Sequence, residues 1–97
     1  MLDNKEANWT FLTNHSHVLL CLANDPYMRI RDLSSAIGIT ERAVQRILAE
    51  LDEGDYIDIT KDGRRNIYKL KADKALKHPV ESHKKVKDLI NLIYEES

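Results

Sequence analysis

The side chains with the clearest chemical potential lie in the stretch GITERAVQRIL, residues 38–48. Three apolar residues of this stretch, with Leu51 just beyond it, follow the i, i+3, i+4, i+7 spacing of one buried helix face: Val44, Ile47, Leu48 and Leu51. The opposite face carries polar and charged side chains: Glu41, Arg42, Gln45 and Arg46. Arginine donors match the acceptor atoms of guanine in the DNA major groove, and a glutamine amide matches the edge of adenine. Because the same residue types also form ordinary solvated helix faces, the stretch by itself leaves both interpretations open.

A second group of basic side chains lies in YIDITKDGRRNIYKL, residues 56–70. Ile57 and Ile59 alternate with polar residues, which is the pattern of a strand, and the dipeptide at residues 62–63 predicts a two-residue hairpin turn. Such a turn would place Ile57 opposite Tyr68 and Ile59 opposite Asn66, with Ile57, Ile59, Tyr68 and Leu70 on the inward face. The tip of this hairpin would carry Lys61, Arg64 and Arg65.

Several further signals predict the helices that must position these groups. Thr13 or Asn14 is a plausible cap for a helix that ends at the sequence Asp25-Pro26, because proline disfavours the helical conformation in the residue before it. A short helix follows and ends at Gly38, which supplies a left-handed terminal residue. Thr40 can then cap the next helix by accepting the free amide of Ala43, and Pro79 suits the first turn of a last helix.

Length and composition indicate one globular domain over residues 1–97, with a core in residues 13–70 and a C-terminal helix at 79–95. Hydrophobic residues make up 42% and charged residues 32% of the 97, with a net charge of −1. The longest apolar run, residues 18–23, is far shorter than a membrane span, and the polar start MLDNKEANWT has no secretory signal. A single cysteine, Cys21, fits a reducing cytoplasm.

The sequence contains no Gly-rich phosphate loop, nucleophile elbow or paired metal motif. We therefore predict neither enzymatic activity nor a cofactor. Histidine and cysteine are common metal ligands, and they occur together in two places: His15, His17 and Cys21, and His78 with His83. His17 and Cys21 share a helix face, yet Cys21 lies in the apolar run and is predicted to be core. No cysteine pair supports His78, Glu81 and His83, so no metal is predicted. Glu81 and His83 could instead make polar contacts in a dimer or bind an unidentified effector.

The order of these elements resembles that of winged helix-turn-helix transcriptional regulators of the MarR and ArsR kind, which are common in bacteria and archaea. The segments RDLSSAIGITERAVQRILAELDEGDYI and GRRNIYKL, residues 31–57 and 63–70, carry the resemblance. It implies a mainly α fold with a small β-hairpin wing (α+β) and, here, an added C-terminal helix. It also implies double-stranded DNA as partner, with a recognition helix at about 40–52 in the major groove and a wing at 61–66 on the backbone or minor groove.

Carried onto this sequence, the resemblance implies two sets of DNA-contacting residues. The base-reading set is Arg42, Gln45 and Arg46. The residues that would contact DNA phosphates, or contact DNA from the wing, are Thr40, Glu41, Lys61, Arg64, Arg65 and Asn66. A glutamate is repelled by phosphate, so Glu41 suits a cytosine amino group or the helix dipole as well. Asp62 is expected to favour the hairpin turn and not to contact DNA.

The last helix has an apolar stripe that either packs on its own domain or pairs with a second chain. We predict a homodimer through this stripe, because regulators of this kind are usually two-fold dimers that match palindromic sites. The stripe is Val86, Leu89, Ile90 and Ile93.

The alternative function is a winged-helix module that binds protein, which the near-neutral charge favours. In that case the basic side chains would be paired with Glu50, Asp52 or Asp58.

Overall fold

The computed structural model describes residues 9–95, so the sequence start at residues 1–8 lies outside the described part. Three helices come first, then a two-stranded antiparallel hairpin, then a fourth helix. Their bounds are α1 (Asn14–Asn24), α2 (Ile30–Ile37), α3 (Glu41–Glu53), β1 (Ile57–Asp62), β2 (Arg65–Leu70) and α4 (Val86–Tyr94). This architecture confirms the predicted winged helix-turn-helix with an added C-terminal helix.

Local capping explains where α1 and α3 begin and where α2 ends. The hydroxyl oxygen of Thr13 accepts a hydrogen bond from the amide of Ser16 at 3.3 Å, and that of Thr40 accepts from Ala43 at 3.1 Å. Gly38 ends α2 with φ of 84°, a conformation that costs other residues a Cβ clash. The turn between α2 and α3, which sets their relative orientation, therefore follows directly from short-range sequence signals.

The core forms where α1, α2 and α3 pack against one another and against the hairpin. Side chains with 1% exposure or less come from every one of these elements except β2: Val18, Leu22, Leu33, Val44, Ile47 and Ile57. Tyr68 of β2 completes the cluster at 3% exposure. Cys21 packs half-buried against this cluster, and its burial raises the pKa of the thiol. The apolar spacing in the sequence thus correctly identified the buried face of α3.

The strand register differs from the predicted one by two residues. Ile57 pairs with Leu70 and Ile59 with Tyr68, so the turn residues are Gly63 and Arg64. Of these two turn residues only Gly63 has positive φ, 65°, as in a turn with glycine at its first central position. The predicted turn would need positive φ at residue 62 as well. Because the shift is even, every side chain keeps its predicted face.

Helix α4 starts seven residues later than predicted. Residues 79–83 form consecutive turns. The segments on either side pair with each other: the Leu76 amide donates to the Lys84 carbonyl at 2.8 Å, and the Val86 amide donates to the Lys74 carbonyl at 2.9 Å. Only after this pairing does the helix begin, with the Asp88 carboxylate accepting from the Lys85 amide at 2.8 Å. Pro79 is compatible with a helix start, but non-local pairing decided the boundary.

The fourth helix is attached to the first. The Tyr94 hydroxyl donates to the Leu20 carbonyl at 2.8 Å, and Val86 is completely buried. Within residues 9–95, none of the helices has the length and apolar character needed to cross a membrane.

Candidate nucleic-acid interface

The exposed face of α3 brings together the three side chains predicted to read bases. Arg42, Gln45 and Arg46 are all exposed, at the i, i+3, i+4 spacing that places side chains on one helix face. The opposite face of α3 is buried in the core, so the helix is held firmly while this stripe faces solvent. The stripe offers two guanidinium groups and one amide, all suited to hydrogen bonding with base edges.

The start of α3 adds donors for an anion. The Thr40 oxygen accepts from the Ala43 amide, but its own O–H remains a donor. The first turn of a helix also carries free amide groups and a partial positive charge. Glu41 is exposed in this same turn, where its negative charge interacts favourably with the helix dipole.

The wing tip presents Lys61 and Arg64 to solvent, whereas Arg65 is partly engaged. The Arg65 Nη2 donates to the Tyr27 carbonyl at 2.7 Å, and the Tyr68 amide donates to the Pro26 carbonyl at 3.2 Å. These two bonds attach the wing to the α1–α2 connection. A guanidinium has five N–H donors, so Arg65 retains donors for another partner.

Asn66 is the predicted wing residue that the structure places differently. It is half-buried, and its Oδ1 is buried with no hydrogen-bond partner in the described part of the chain. It pairs with Lys61 in the register, three residues from the turn glycine. Asn66 therefore lies behind the tip and not with Arg64 at its end.

A groove of about 330 Å³ separates the wing from the α1–α2 connection. Arg29, at the cap position of α2, lines it together with Arg64, Arg65 and Asn66. Sequence reasoning missed Arg29, since nothing local indicates that the residue before α2 lies beside the wing. The basic surface of the wing thus extends to the start of the helix-turn-helix.

Two of the three acidic residues that the alternative function would pair with these arginines are paired with other groups. Glu50 lies 2.9 Å from His15, and Asp58 lies 3.2 Å from Lys71. Hydrogen bonds with Asp58, and then with Asp55, raise the pKa of Lys71. Over residues 9–95, no arginine of the α3 face or the wing enters an ion pair. The pairing expected for a protein-binding module is thus not the arrangement found.

The histidines occupy separate places. His17 Nδ1 lies 3.1 Å from Asn14 Oδ1, and His78 Nδ1 accepts from the Val80 amide at 3.1 Å. His83 and Glu81 are exposed in the turns before α4. Among the residues that the structure describes, no three His, Cys, Asp or Glu side chains are grouped to hold a metal ion.

The predicted dimer stripe on α4 is divided by packing within the chain. Val86 is fully buried and leaves no surface for a partner, which corrects its assignment to an interface. Leu89 and Ile90 are half-buried, and Ile93 is 47% exposed. Leu92, outside the predicted stripe, is 74% exposed. The apolar surface of α4 that remains open is therefore at its C-terminal half.

Comparisons with known proteins find one matching family model and a solved structure of similar fold. Residues 12–58 match the family model described as winged helix-turn-helix DNA-binding. A solved structure of ZitR from Lactococcus lactis, wild type in complex with DNA, superposes with a TM-score of 0.54 at 23% sequence identity. The match covers 72% of this chain and 49% of the ZitR chain, so this chain spans about half the length of that protein. No curated protein matches the sequence.

Proposed function

From the winged helix-turn-helix domain that this chain contains, matched over residues 12–58, we propose a sequence-specific DNA-binding transcriptional regulator. The observation that carries the proposal is the stripe of Arg42, Gln45 and Arg46 on α3. It is exposed, free of ion pairs within the described residues, and mounted on a helix whose other face is buried. In this function α3 enters the major groove and these three side chains read base edges. The likeness of fold to ZitR, whose structure contains DNA, supports the same use of the fold.

The phosphate contacts surround this stripe. Thr40 and the free amides of the first α3 turn hold one phosphate, with Glu41 beside them. Lys61, Arg64 and Arg65 of the wing contact the backbone or the minor groove, and Arg29 adjoins them across the groove. These contacts orient the domain on the duplex, while the α3 side chains specify sequence. Asn66 is half-buried behind the wing tip, so it lies at the edge of this phosphate-contacting surface.

Selection from a random-sequence duplex pool at two salt concentrations tests this function. Enrichment of a defined motif is the expected result, and a palindromic motif would indicate a two-fold dimer. Binding without enrichment would contradict sequence-specific regulation and indicate nonspecific DNA binding. Absence of binding at low salt, together with capture of a protein partner, would favour the protein-interaction module.

The double change Arg64→Ala with Arg65→Ala should flatten the salt dependence of DNA binding. Each phosphate contact releases counterions, so the slope of log affinity against log salt should fall by about 1.8 for two contacts. Fluorescence anisotropy across a salt series measures this slope. The matched control is Lys84→Ala with Lys85→Ala, which removes the same charge away from the wing. An unchanged slope would remove the wing from the DNA interface.

We propose further that the regulator is a homodimer in which the open C-terminal half of α4 meets its copy. Ile93 and Leu92 supply exposed apolar surface, and Leu89 and Ile90 extend it toward the core. Two-fold dimers are the commonest soluble assemblies and match two half-sites on DNA. The free thiol of Cys21 suits the reducing cytoplasm predicted for this regulator.

Ile93→Glu should convert the dimer to a monomer, because a carboxylate buried at an apolar contact has no partner. Sedimentation velocity over a concentration series measures the change. Asn91→Glu, on the same helix and exposed, introduces the same charge outside the stripe and should leave the dimer intact. A wild-type protein that is monomeric at every concentration would contradict the dimer itself.

A further inference from the structure

The wing is joined to the α1–α2 connection at two points on β2. Tyr68 is buried in the core, and its amide donates to the Pro26 carbonyl at 3.2 Å. Arg65, the first residue of β2, donates from Nη2 to the Tyr27 carbonyl at 2.7 Å. At about 3.4 Å per residue, the two points lie roughly 10 Å apart along the strand. Within residues 9–95, no other hydrogen bond joins the hairpin to this connection.

The attachment at Tyr68 alone would leave the tip of the wing free to pivot. Every residue from 58 to 65 is exposed, so no buried side chain holds this part of the hairpin against the domain. A two-stranded hairpin by itself is at best marginally stable in water. A body attached at one point can rotate about it, whereas a second attachment near the tip prevents that rotation. The bond from Arg65 is that second attachment.

The carbonyl that accepts the Arg65 bond is itself held in place. The Asp25 carboxylate accepts from the Tyr27 amide at 3.0 Å, and the Met28 amide donates to the Asp25 carbonyl at 3.3 Å. The residue between Asp25 and Tyr27 is a proline, whose ring fixes its φ. Arg29, the cap residue of α2, follows two residues after Tyr27. A group bound to the Tyr27 carbonyl is therefore fixed relative to α2.

An arginine at residue 65 can hold the wing and contact DNA at the same time. Its guanidinium carries five N–H groups in a rigid planar fork, so the bond to Tyr27 also fixes the direction of the other N–H groups. A lysine ammonium is a compact charge on a flexible stem and lacks this fork. The neighbouring Arg64 is exposed, and within residues 9–95 its guanidinium enters no hydrogen bond or ion pair. The two adjacent arginines thus differ in what they contact.

We propose that Arg65 is the positioning residue of the wing. Its bond to the Tyr27 carbonyl fixes the angle between the wing and α2, and through that angle it determines how well Lys61 and Arg64 reach DNA. A wing that is already held before DNA arrives loses less freedom on binding, which strengthens the complex. The effect on DNA rests on the proposed function, whereas the fixed angle of the wing does not.

NMR of the full chain tests the positioning of the wing without DNA. The variant is Arg65→Lys, which keeps the charge, and the matched control is Arg64→Lys. Over residues 60–67 we expect backbone order parameters of about 0.85, typical of rigid backbone, in the wild type and the control. In Arg65→Lys these values should fall toward about 0.6, which marks flexible backbone, while those of α3 stay unchanged. Residual dipolar couplings report the orientation of the wing relative to α3, and equal couplings and order parameters in all three proteins would overturn the proposal.

A change on the acceptor side tests the same attachment without altering the wing. Asp25→Ala removes the carboxylate that holds the Tyr27 amide, whereas Asp25→Asn removes the same charge and keeps an acceptor oxygen. The order parameters of residues 60–67 should fall in Asp25→Ala and stay at the wild-type level in Asp25→Asn. The α3 signals of the same spectra show whether each variant is folded. Wing order that is equal in the two variants would contradict the link from this turn to the wing.

DNA affinity then separates positioning from a simple charge contact. Arg65→Lys should weaken binding to the selected duplex about three- to tenfold with an unchanged salt slope, whereas Arg64→Lys should stay within about twofold of the wild type. Arg64→Ala should cost less affinity in the Arg65→Lys background than in the wild type, because an unheld wing no longer presents residue 64 to DNA. A double-mutant cycle measures that difference.

Two results would overturn the role of Arg65 in DNA binding: equal affinities for the two lysine variants, or strictly additive effects in the cycle. Failure of the wild-type protein to bind any DNA would contradict the proposed function instead. In that case the order parameters and dipolar couplings would still decide whether Arg65 positions the wing.

Discussion

Arg46→Ala should weaken specific DNA binding by about 1–3 kcal/mol, which is roughly five- to 150-fold, and should relax the preference at one base pair. Arg46 is exposed on α3 and in no ion pair within the described residues, so its guanidinium is available to the two acceptors of a guanine. A bidentate contact of this type discriminates against the wrong base because the other pairs lack that acceptor pair. Fluorescence anisotropy with the selected duplex and its single-base variants measures both effects.

The control for Arg46 is Lys84→Ala, which removes one exposed positive charge from the turns before α4. It should leave both affinity and sequence preference close to those of the wild type. If Arg46→Ala weakens binding equally on every duplex, the side chain contacts phosphate and does not read a base.

Ile47→Ala should destabilise the protein by about 2–5 kcal/mol, through lost burial and the cavity left behind. Ile47 is 1% exposed and belongs to the face that holds α3 in the core. Whole domains are stable by only about 5–15 kcal/mol, so a large part of the folding free energy would be lost. Urea unfolding followed by circular dichroism measures the change.

Gln45→Ala is the matched comparison, because Gln45 is exposed two positions away on the same helix. Its free energy of unfolding should stay within about 0.5 kcal/mol of the wild type, while specific DNA binding falls. A stability loss under about 1 kcal/mol in Ile47→Ala would show that α3 is not held by this packing.

Charge distribution explains how a chain with a net charge of −1 presents a basic surface. Glu50 and Asp58 are close in sequence to the arginines, and their partners in the structure are His15 and Lys71. Those partners come from α1 and from the segment after β2. Composition averages over these groups, whereas binding depends on which charges remain unpaired at one face.

Local signals determined the helix-turn-helix itself. The caps at Thr13 and Thr40, the left-handed Gly38 and the apolar spacing of α3 each act within a few residues, and all are found as predicted. The family resemblance added the interpretation of the exposed α3 face. Because capping and helical periodicity involve neighbours in sequence, they can be recognised without knowing the rest of the fold.

Contacts between distant segments decided what the sequence alone did not. Turns at Asp62-Gly63 and at Gly63-Arg64 are both acceptable locally, and the folded chain uses the second, which shifts the register by two residues. Helix α4 starts at Val86 because residues 74–76 pair with 84–86. Tertiary packing also buried Val86, set Asn66 behind the wing tip, and brought Arg29 beside Arg64. These outcomes depend on competition among several locally acceptable arrangements, and only the packing of the whole domain selects one of them.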